Sequence, residues 1–182
     1  MNSDEYFVYL QDRLVSNNIS ELVRKLNFMY GECKKNRPNV YLVLKSLKDI
    51  DVLGILILYK FMDFSISENC FKSPNFHNEA KSEFNKKVKK YGFDNLISEC
   101  YKDRTEMKRN FDNLKVEIKG DFLIAPIAIK SEENINKNAL KQIEAYYTDE
   151  NTCSIVFSIF SELHSNFNAH SNDTSRSVIV AY

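Results

Sequence analysis

Two apolar segments in succession constrain the fold of this chain most. Residues 40–44 read Val-Tyr-Leu-Val-Leu, a short β-rich run that is typical of a buried strand. After a polar turn, Asp51 can cap a helix that extends to about Ser67, and the first half of this helix is apolar on nearly every side. A helix without a polar face must be covered, so we expect it to lie against a sheet. The order of strands and helices predicts a mixed α/β fold.

Other periodic segments predict the remaining elements. We expect helices at residues 3–14, 18–35, 51–67, 77–91, 93–101, 131–148 and 152–169. We expect strands at residues 40–44, 115–118, 121–129 and 175–181, with irregular structure at residues 64–76. The charged stretch 102–113 is typical of a linker, and it predicts two regions, residues 1–113 and residues 114–182.

Composition excludes several kinds of partner. The chain has 182 residues, with 25 basic and 25 acidic side chains, so no bulk charge attracts it to nucleic acid or anionic lipid. Its longest apolar run, residues 52–58, is far shorter than the roughly 20 residues of a membrane span. Residues 1–5 are too polar for a signal peptide. We therefore expect a cytoplasmic protein with no membrane contact, and we regard the lysine-rich stretch 86–90 as a solvated helical face.

Cysteine and glycine usage excludes further kinds of site. The four cysteines form no CxxC pair and have no ligand spacing with the three histidines, so we expect reduced, mostly buried thiols and no zinc site. Only four glycines occur, and neither GxGxxG nor GxxxxGK[ST] is present. Because the backbone of a phosphate-binding loop needs glycine to approach its ligand, the chain contains no complete glycine-rich nucleotide loop.

A polar stripe on the predicted helix 152–169 is the main candidate for chemistry. Glu162, Asn166 and His170 follow one another at i, i+4 and i+8, beside an apolar face that we expect in the core. That face consists of Val156, Ile159, Phe160, Leu163 and Phe167. A carboxylate can orient water for attack on a terminal phosphate, and an amide oxygen is a hard ligand suited to Mg²⁺. The stripe therefore suits a triphosphate site.

The residues Glu162-Leu163-x-x-Asn166-x-x-x-His170-Ser171 resemble the N-box of the GHKL superfamily, which includes gyrase-type ATPases and sensor histidine kinases. The resemblance implies a site for ATP and Mg²⁺, with Asn166 as the metal ligand. It also implies that Glu162 is the catalytic residue that orients the attacking water and that His170 lies near the nucleotide. The match departs from the family pattern at Phe167 and Ala169.

The same resemblance implies an incomplete Bergerat-type α/β sandwich in residues 114–182. The DxGxG box, the ATP lid and the later glycine box of the family would all follow Tyr182. We therefore expect a chain that is truncated before the DxGxG box.

Residues 41–56 are similar to the central strand, turn and helix of STAS-like domains, which often accompany GHKL kinases. The matching residues are Tyr41-Leu42-Val43-Leu44, Asp51 and Gly54. Val52 and Leu53 stand where the phosphorylated serine of that family would follow Asp51, so we expect no phosphoryl acceptance there. The resemblance implies a STAS-like α/β regulatory region, with a docking surface for a partner or a purely structural role for these residues.

Two functions follow from these features. In the first, the protein binds ATP·Mg²⁺ and acts as an ATPase or kinase in a bacterial regulatory or antiviral defence system. In the second, it is a non-catalytic protein–protein interaction module with a vestigial nucleotide site. Both imply a protein partner or a homodimer.

Overall fold

The computed structural model describes residues 5–70, 73–77, 79, 82–101, 103–117, 124–129, 140–170 and 177–181. The chain divides into two compact units, Met1–Ile118 and Lys119–Tyr182. The described residues have a mixed α/β fold, as the sequence predicted. The finer assignments, to a STAS-like region and a Bergerat-type sandwich, remain predictions.

A parallel sheet forms the centre of the first unit. Its strands are β1 (Glu5–Tyr9), β3 (Asn39–Val43) and β5 (Ser73–His77), in the order β1-β3-β5. The short strands β2 (Arg13–Leu14) and β4 (Asp49–Ile50) form a second parallel pair. β1 and β5 are therefore the two edges of the three-stranded sheet.

Both crossover helices lie on one face of this sheet. In the chain, helix α1 (Ile19–Asn36) lies between β1 and β3, and helix α2 (Val52–Ser67) lies between β3 and β5. Consecutive right-handed crossovers between adjacent parallel strands place their helices on the same side. The rings of Tyr30 in α1 and Phe64 in α2 accordingly lie 5.5 Å apart.

The predicted strand and the buried helix after it are confirmed. Val40 and Leu42 are fully buried, and the Asp51 carboxylate accepts a hydrogen bond from the Gly54 N–H at 2.8 Å. α2 begins at Val52, and Ile55, Leu58, Tyr59 and Met62 are buried along it. The N-cap and the apolar run therefore set the position of this helix.

Three shorter helices complete the described part of the first unit: α3 (Glu83–Lys90), α4 (Asp94–Ser98) and α5 (Arg104–Asp112). Ser82 caps α3, and Gly92 follows it with a φ of 71°. Asp103 caps α5 by accepting the Glu106 N–H at 2.8 Å. Their buried side chains are Phe84, Val88, Leu96, Ile97, Met107 and Phe111.

The second unit contains two strands and two helices among its described residues. Strands β6 (Ile124–Ile129) and β7 (Ser177–Ala181) pair antiparallel, with Ile127 opposite Ile179. Helices α6 (Leu140–Tyr146) and α7 (Glu150–His170) lie between them in the chain.

The structure corrects five sequence predictions in the first unit. The helix expected at residues 77–91 covers Glu83–Lys90, with His77 in a strand, and residues 115–117, which were expected in a strand, have no regular secondary structure. Residues 3–14 were expected to form a helix, but 5–9 and 13–14 form β1 and β2. The expected linker 102–113 contains α5, and the stretch 64–76, which was expected to be irregular, contains the end of α2 and most of β5.

Residues 131–139 of the helix expected over 131–148 lie outside the described residues. Across the ranges that the structure describes, no helix combines the length and the apolar character needed to cross a bilayer.

Candidate functional site

The helix that carries the predicted stripe begins at a well-defined cap. Asp149 accepts hydrogen bonds from the Thr152 N–H at 2.7 Å and from the Thr152 hydroxyl at 2.6 Å. These bonds lower the pKa of the Asp149 carboxyl. α7 continues to His170, so the predicted stripe lies on one continuous helix.

The structure brings two of the three predicted site residues together. The Asn166 side-chain amide donates to the Glu162 carboxylate, with 3.2 Å between Nδ2 and Oε1. Both residues are exposed. Because Nδ2 faces the carboxylate, the Asn166 Oδ1 is turned away from Glu162. His170 is the last residue of α7, and its side chain lies outside the described part of the structure.

This arrangement suits a hard cation better than a soft one. Mg²⁺ prefers oxygen ligands, keeps several of its waters and is commonly held through one or two protein oxygens together with substrate phosphates. Asn166 Oδ1 is an oxygen of this kind, and the Glu162 carboxylate lies one turn away. Among the residues that the structure describes, no three His, Cys, Asp or Glu side chains are grouped to hold a metal ion.

The apolar side of α7 differs from the prediction. Ile159 and Leu163 were expected in the core, yet they are 54% and 59% exposed, and Ile155 is 62% exposed. His164 is buried instead, at 3% exposure. Phe160 and His164 therefore lie on the covered side of α7. The buried face of the helix is rotated about its axis relative to the predicted face. The Phe167 side chain lies outside the described residues.

A cavity of about 660 Å³ lies at the other end of α7. Its lining includes Glu144 and Tyr147, near the end of α6, and Cys153 and Phe157 of α7. The Cys153 thiol is 3.3 Å from the Tyr147 carbonyl oxygen. At 1.5 Å per residue, Glu162 is about 14 Å along the helix from Cys153. The cavity and the predicted nucleotide residues are thus separate features of this unit.

The lysine-rich stretch of α3 makes contacts within the first unit. Lys86 pairs with Glu83 at 2.5 Å, and Lys87 donates to Asp49 at 3.1 Å. Lys89 donates to the carbonyl oxygens of Phe111, Asp112 and Leu114. The stretch was expected to be a solvated helical face. Lys86 and Lys90 are exposed, whereas Lys87 and Lys89 are half-buried and bonded to other parts of the unit.

Lys87 is also part of a small charge cluster at the end of β4. Asp49 lies between Lys87 and Arg13, whose guanidinium is 3.8 Å away. The hydrogen bond from Lys87 lowers the pKa of the Asp49 carboxyl against the effect of burial. The cluster connects α3 to β2 and β4, with one carboxylate between two cations.

The segment with the STAS-like pattern forms a tight junction between strand and helix. Asp51 caps α2 with one carboxylate oxygen, and its other oxygen accepts the Ser16 N–H at 2.7 Å. Val52 is buried and Leu53 is 40% exposed at the positions where the STAS-like pattern has its serine. The junction offers no hydroxyl for phosphorylation at these two positions.

The described cysteines are all free thiols, as expected. Cys33, Cys70 and Cys100 are buried and Cys153 is half-buried. No protein-family model, curated protein or solved structure matches this chain. The assignment of a site therefore depends on the residues themselves.

Proposed function

We propose that this protein binds ATP·Mg²⁺ at a GHKL-type site to which α7 contributes the metal-binding helix. The observation that carries the proposal is the hydrogen bond between Asn166 and Glu162 on a solvent-exposed part of α7. In the chain, this helix precedes β7, which pairs antiparallel with β6. The hydrogen bond orients the Asn166 amide so that its oxygen is available to a cation. An amide oxygen can bind Mg²⁺ together with the phosphate oxygens of a triphosphate, and a carboxylate one turn away can orient water.

In this proposal the chain's own residues divide the work. Asn166 binds Mg²⁺ through Oδ1, and Glu162 holds the amide in position and orients a water molecule. When bound, Mg²⁺ supplies charge neutralisation for the phosphate oxygens. Whether the protein hydrolyses ATP or transfers its phosphoryl group to a partner depends on the role of Glu162.

Calorimetric titration tests the proposal, using ATP and Mg²⁺ with the protein that the complete open reading frame encodes. We expect saturable binding that is lost in Asn166→Ala and is strongly weakened when EDTA removes Mg²⁺. Asn151→Ala is the matched control, because Asn151 is an exposed asparagine in the first turn of the same helix. Equal binding by Asn166→Ala and the wild type would refute the site.

A second substitution separates hydrolysis from phosphoryl transfer. Glu162→Gln keeps the hydrogen-bond geometry but removes the charge that orients water. We expect it to bind ATP with little change and to release phosphate at least roughly 100-fold more slowly if the protein is an ATPase. Unchanged phosphate release would exclude Glu162 from the hydrolytic step.

A non-catalytic interaction module is the second candidate, and it has its own observation. Ile155, Ile159 and Leu163 are exposed at i, i+4 and i+8, which forms an apolar stripe along α7. Such a stripe is typical of a surface that another protein covers. The wild type, Ile159→Lys and the control Ser158→Lys can be compared by affinity purification. This candidate is supported by a partner that the wild type and Ser158→Lys retain but Ile159→Lys does not. Identical retention by all three proteins opposes it.

A further inference from the structure

The backbone of β1 has an open edge. β1 is an outer strand, and just beyond its end the Leu10 N–H donates to the Val43 carbonyl at 3.1 Å. Backbone groups alternate in direction along a strand, so those of Val8 also point to β3, whereas those of Phe7 and Tyr9 point outward. The Lys25 ammonium, which donates to the Tyr9 carbonyl at 3.3 Å, independently places that carbonyl on the outer side.

A groove runs between this edge and α1. It has a volume of about 380 Å³, and its lining includes Phe7, Tyr9, Lys25 and Phe28. Phe28 is 66% exposed and Tyr9 70%. The Phe7 ring is held in place by stacking on Tyr41, with 4.9 Å between the ring centres. An exposed strand edge beside apolar side chains is a template for another strand.

The contacts between α1 and β1 set their relative direction. Lys25 contacts the end of β1 at Tyr9. Burial raises the pKa of the Tyr6 hydroxyl, with smaller effects from Cys33 and Glu32, which lie near it. α1 therefore runs antiparallel to β1, with Phe28 beside the middle of the strand. On the helix, Lys25, Phe28 and Glu32 share one flank at i, i+3 and i+7, with Phe28 near the centre.

We propose that this edge binds the same edge of a second copy of the chain. The two β1 strands pair antiparallel about a two-fold axis at Phe7, and the two three-stranded sheets become one sheet of six strands. Phe7 then lies opposite Phe7 of the second copy, and Glu5 lies opposite Tyr9, so the outward backbone groups of these three residues are all paired. The two α1 helices meet at Phe28, where Lys25 of one copy faces Glu32 of the other.

Self-complementarity favours a second copy over an unrelated peptide. A two-fold interface brings a surface against itself, so every group needs its partner on the same surface. β1 has five residues centred on Phe7, and the flank of α1 carries two cations, Arg24 and Lys25, before Phe28 and an anion, Glu32, after it. An acidic or basic peptide would match only one sign of charge on this flank.

The first test removes one outward hydrogen-bond donor. Phe7→Pro deletes an N–H that does not bond β3 and places proline on an edge strand, where it is tolerated. Sedimentation equilibrium of the chain without nucleotide is expected to give the mass of two chains for the wild type and of one chain for Phe7→Pro. Far-UV circular dichroism checks that the variant remains folded.

The second test exchanges the charges and does not depend on the tolerance of proline. We expect Lys25→Glu and Glu32→Lys each to weaken the dimer by at least roughly tenfold in Kd, because each places like charges together twice. The double variant Lys25→Glu/Glu32→Lys is expected to restore the dimer. Lys108→Glu is the matched control, since it makes the same charge change on an exposed position of α5.

Two results would overturn the proposal. One is a wild-type chain that is monomeric at all concentrations. This is also the result expected if the edge binds a different partner. The other is a dimer that both single charge variants leave intact. Either result is independent of the ATP titration, because these measurements use no nucleotide and alter only β1 and α1.

Discussion

Gly54 has no room for a side chain. A Cβ at this position would lie 2.3 Å from the Leu14 carbonyl oxygen and 2.9 Å from Cγ1 of Ile50. The carbonyl is backbone and already accepts the Asp51 N–H at 3.2 Å, so it cannot move away cheaply. We expect Gly54→Ala to lower the free energy of unfolding by about 2 kcal/mol or more, measured by urea denaturation.

Gly31 provides the opposite case in the same unit. It lies inside α1, and a Cβ there would have no neighbour within 4 Å. Glycine in a helix interior costs about 0.5–1 kcal/mol relative to alanine. Gly31→Ala should therefore stabilise the protein by that amount, and a loss of stability in both variants would mean that the effect of Gly54→Ala is not steric.

Cys33 should make stability depend on pH in the alkaline range. Burial, with smaller effects from Glu32 and Cys70, raises the pKa of this thiol from 9.0 to about 11. Between these values the unfolded chain loses the proton and the folded chain keeps it. The free energy of unfolding should therefore fall as pH rises from about 9 towards 11, and this contribution should be constant below 9.

Urea denaturation of the wild type and Cys33→Ala across this pH range measures the effect. The fall should be smaller in the variant, because the ionisation of Cys33 no longer contributes to it. Identical slopes for the two proteins would show that Cys33 ionises as readily in the folded chain as in the unfolded one.

At the scale of elements, Lys89 connects α3 to the end of α5. Its ammonium donates to the carbonyl oxygens of Phe111 at 2.6 Å, Asp112 at 3.3 Å and Leu114 at 2.9 Å. The carbonyl groups at the end of a helix have no partner within it, and a cation placed there also interacts favourably with the helix dipole. We expect Lys89→Met, which keeps the aliphatic stem, to lower the free energy of unfolding by about 1–3 kcal/mol.

Lys90→Met is the control for this prediction. Lys90 is the next residue of α3 and is exposed, so its replacement should change stability by less than about 0.5 kcal/mol. If both methionine variants unfold at the same urea concentration as the wild type, the contacts of Lys89 contribute nothing to stability.

The elements that could be predicted are those whose signals are local. β3 and α2 follow from a β-rich run, an N-cap and a continuous apolar segment, and the structure has them within one residue of the prediction. β1 was predicted wrongly because Tyr6, Phe7, Val8 and Tyr9 are all apolar or aromatic, so helical spacing fits them as well as strand alternation does. Their aromatic and β-branched composition was the signal that favoured a strand.

Two other differences depend on tertiary structure. α5 could be predicted from the spacing of Met107, Phe111 and Leu114 and from the cap at Asp103. The high charge around these residues is also typical of a linker, which was the prediction for this stretch. On α7, the apolar residues outnumber the positions that the second unit covers, so periodicity alone could not decide between Ile159 and His164 for the buried side. The contact between Glu162 and Asn166 follows from their i, i+4 spacing.

At the scale of the whole molecule, the two units differ in length. The first extends from Met1 to Ile118 and the second from Lys119 to Tyr182. A shorter unit buries a smaller fraction of the surface that its unfolded chain exposes. Because burial of apolar surface is the main favourable term in folding, the second unit should be the less stable of the two.

Differential scanning calorimetry should therefore resolve two transitions, with the second unit unfolding at the lower temperature. Gly54→Ala should lower only the upper transition, because the residue that it alters lies in the first unit. In the protein that the complete open reading frame encodes, ATP·Mg²⁺ should raise only the transition of the second unit, by an amount equivalent to about 2.7 kcal/mol at 100 times the dissociation constant. The shift should be absent in Asn166→Ala, which leaves both transitions otherwise in place. A single transition that Gly54→Ala and ATP·Mg²⁺ both displace would show instead that the two units unfold as one.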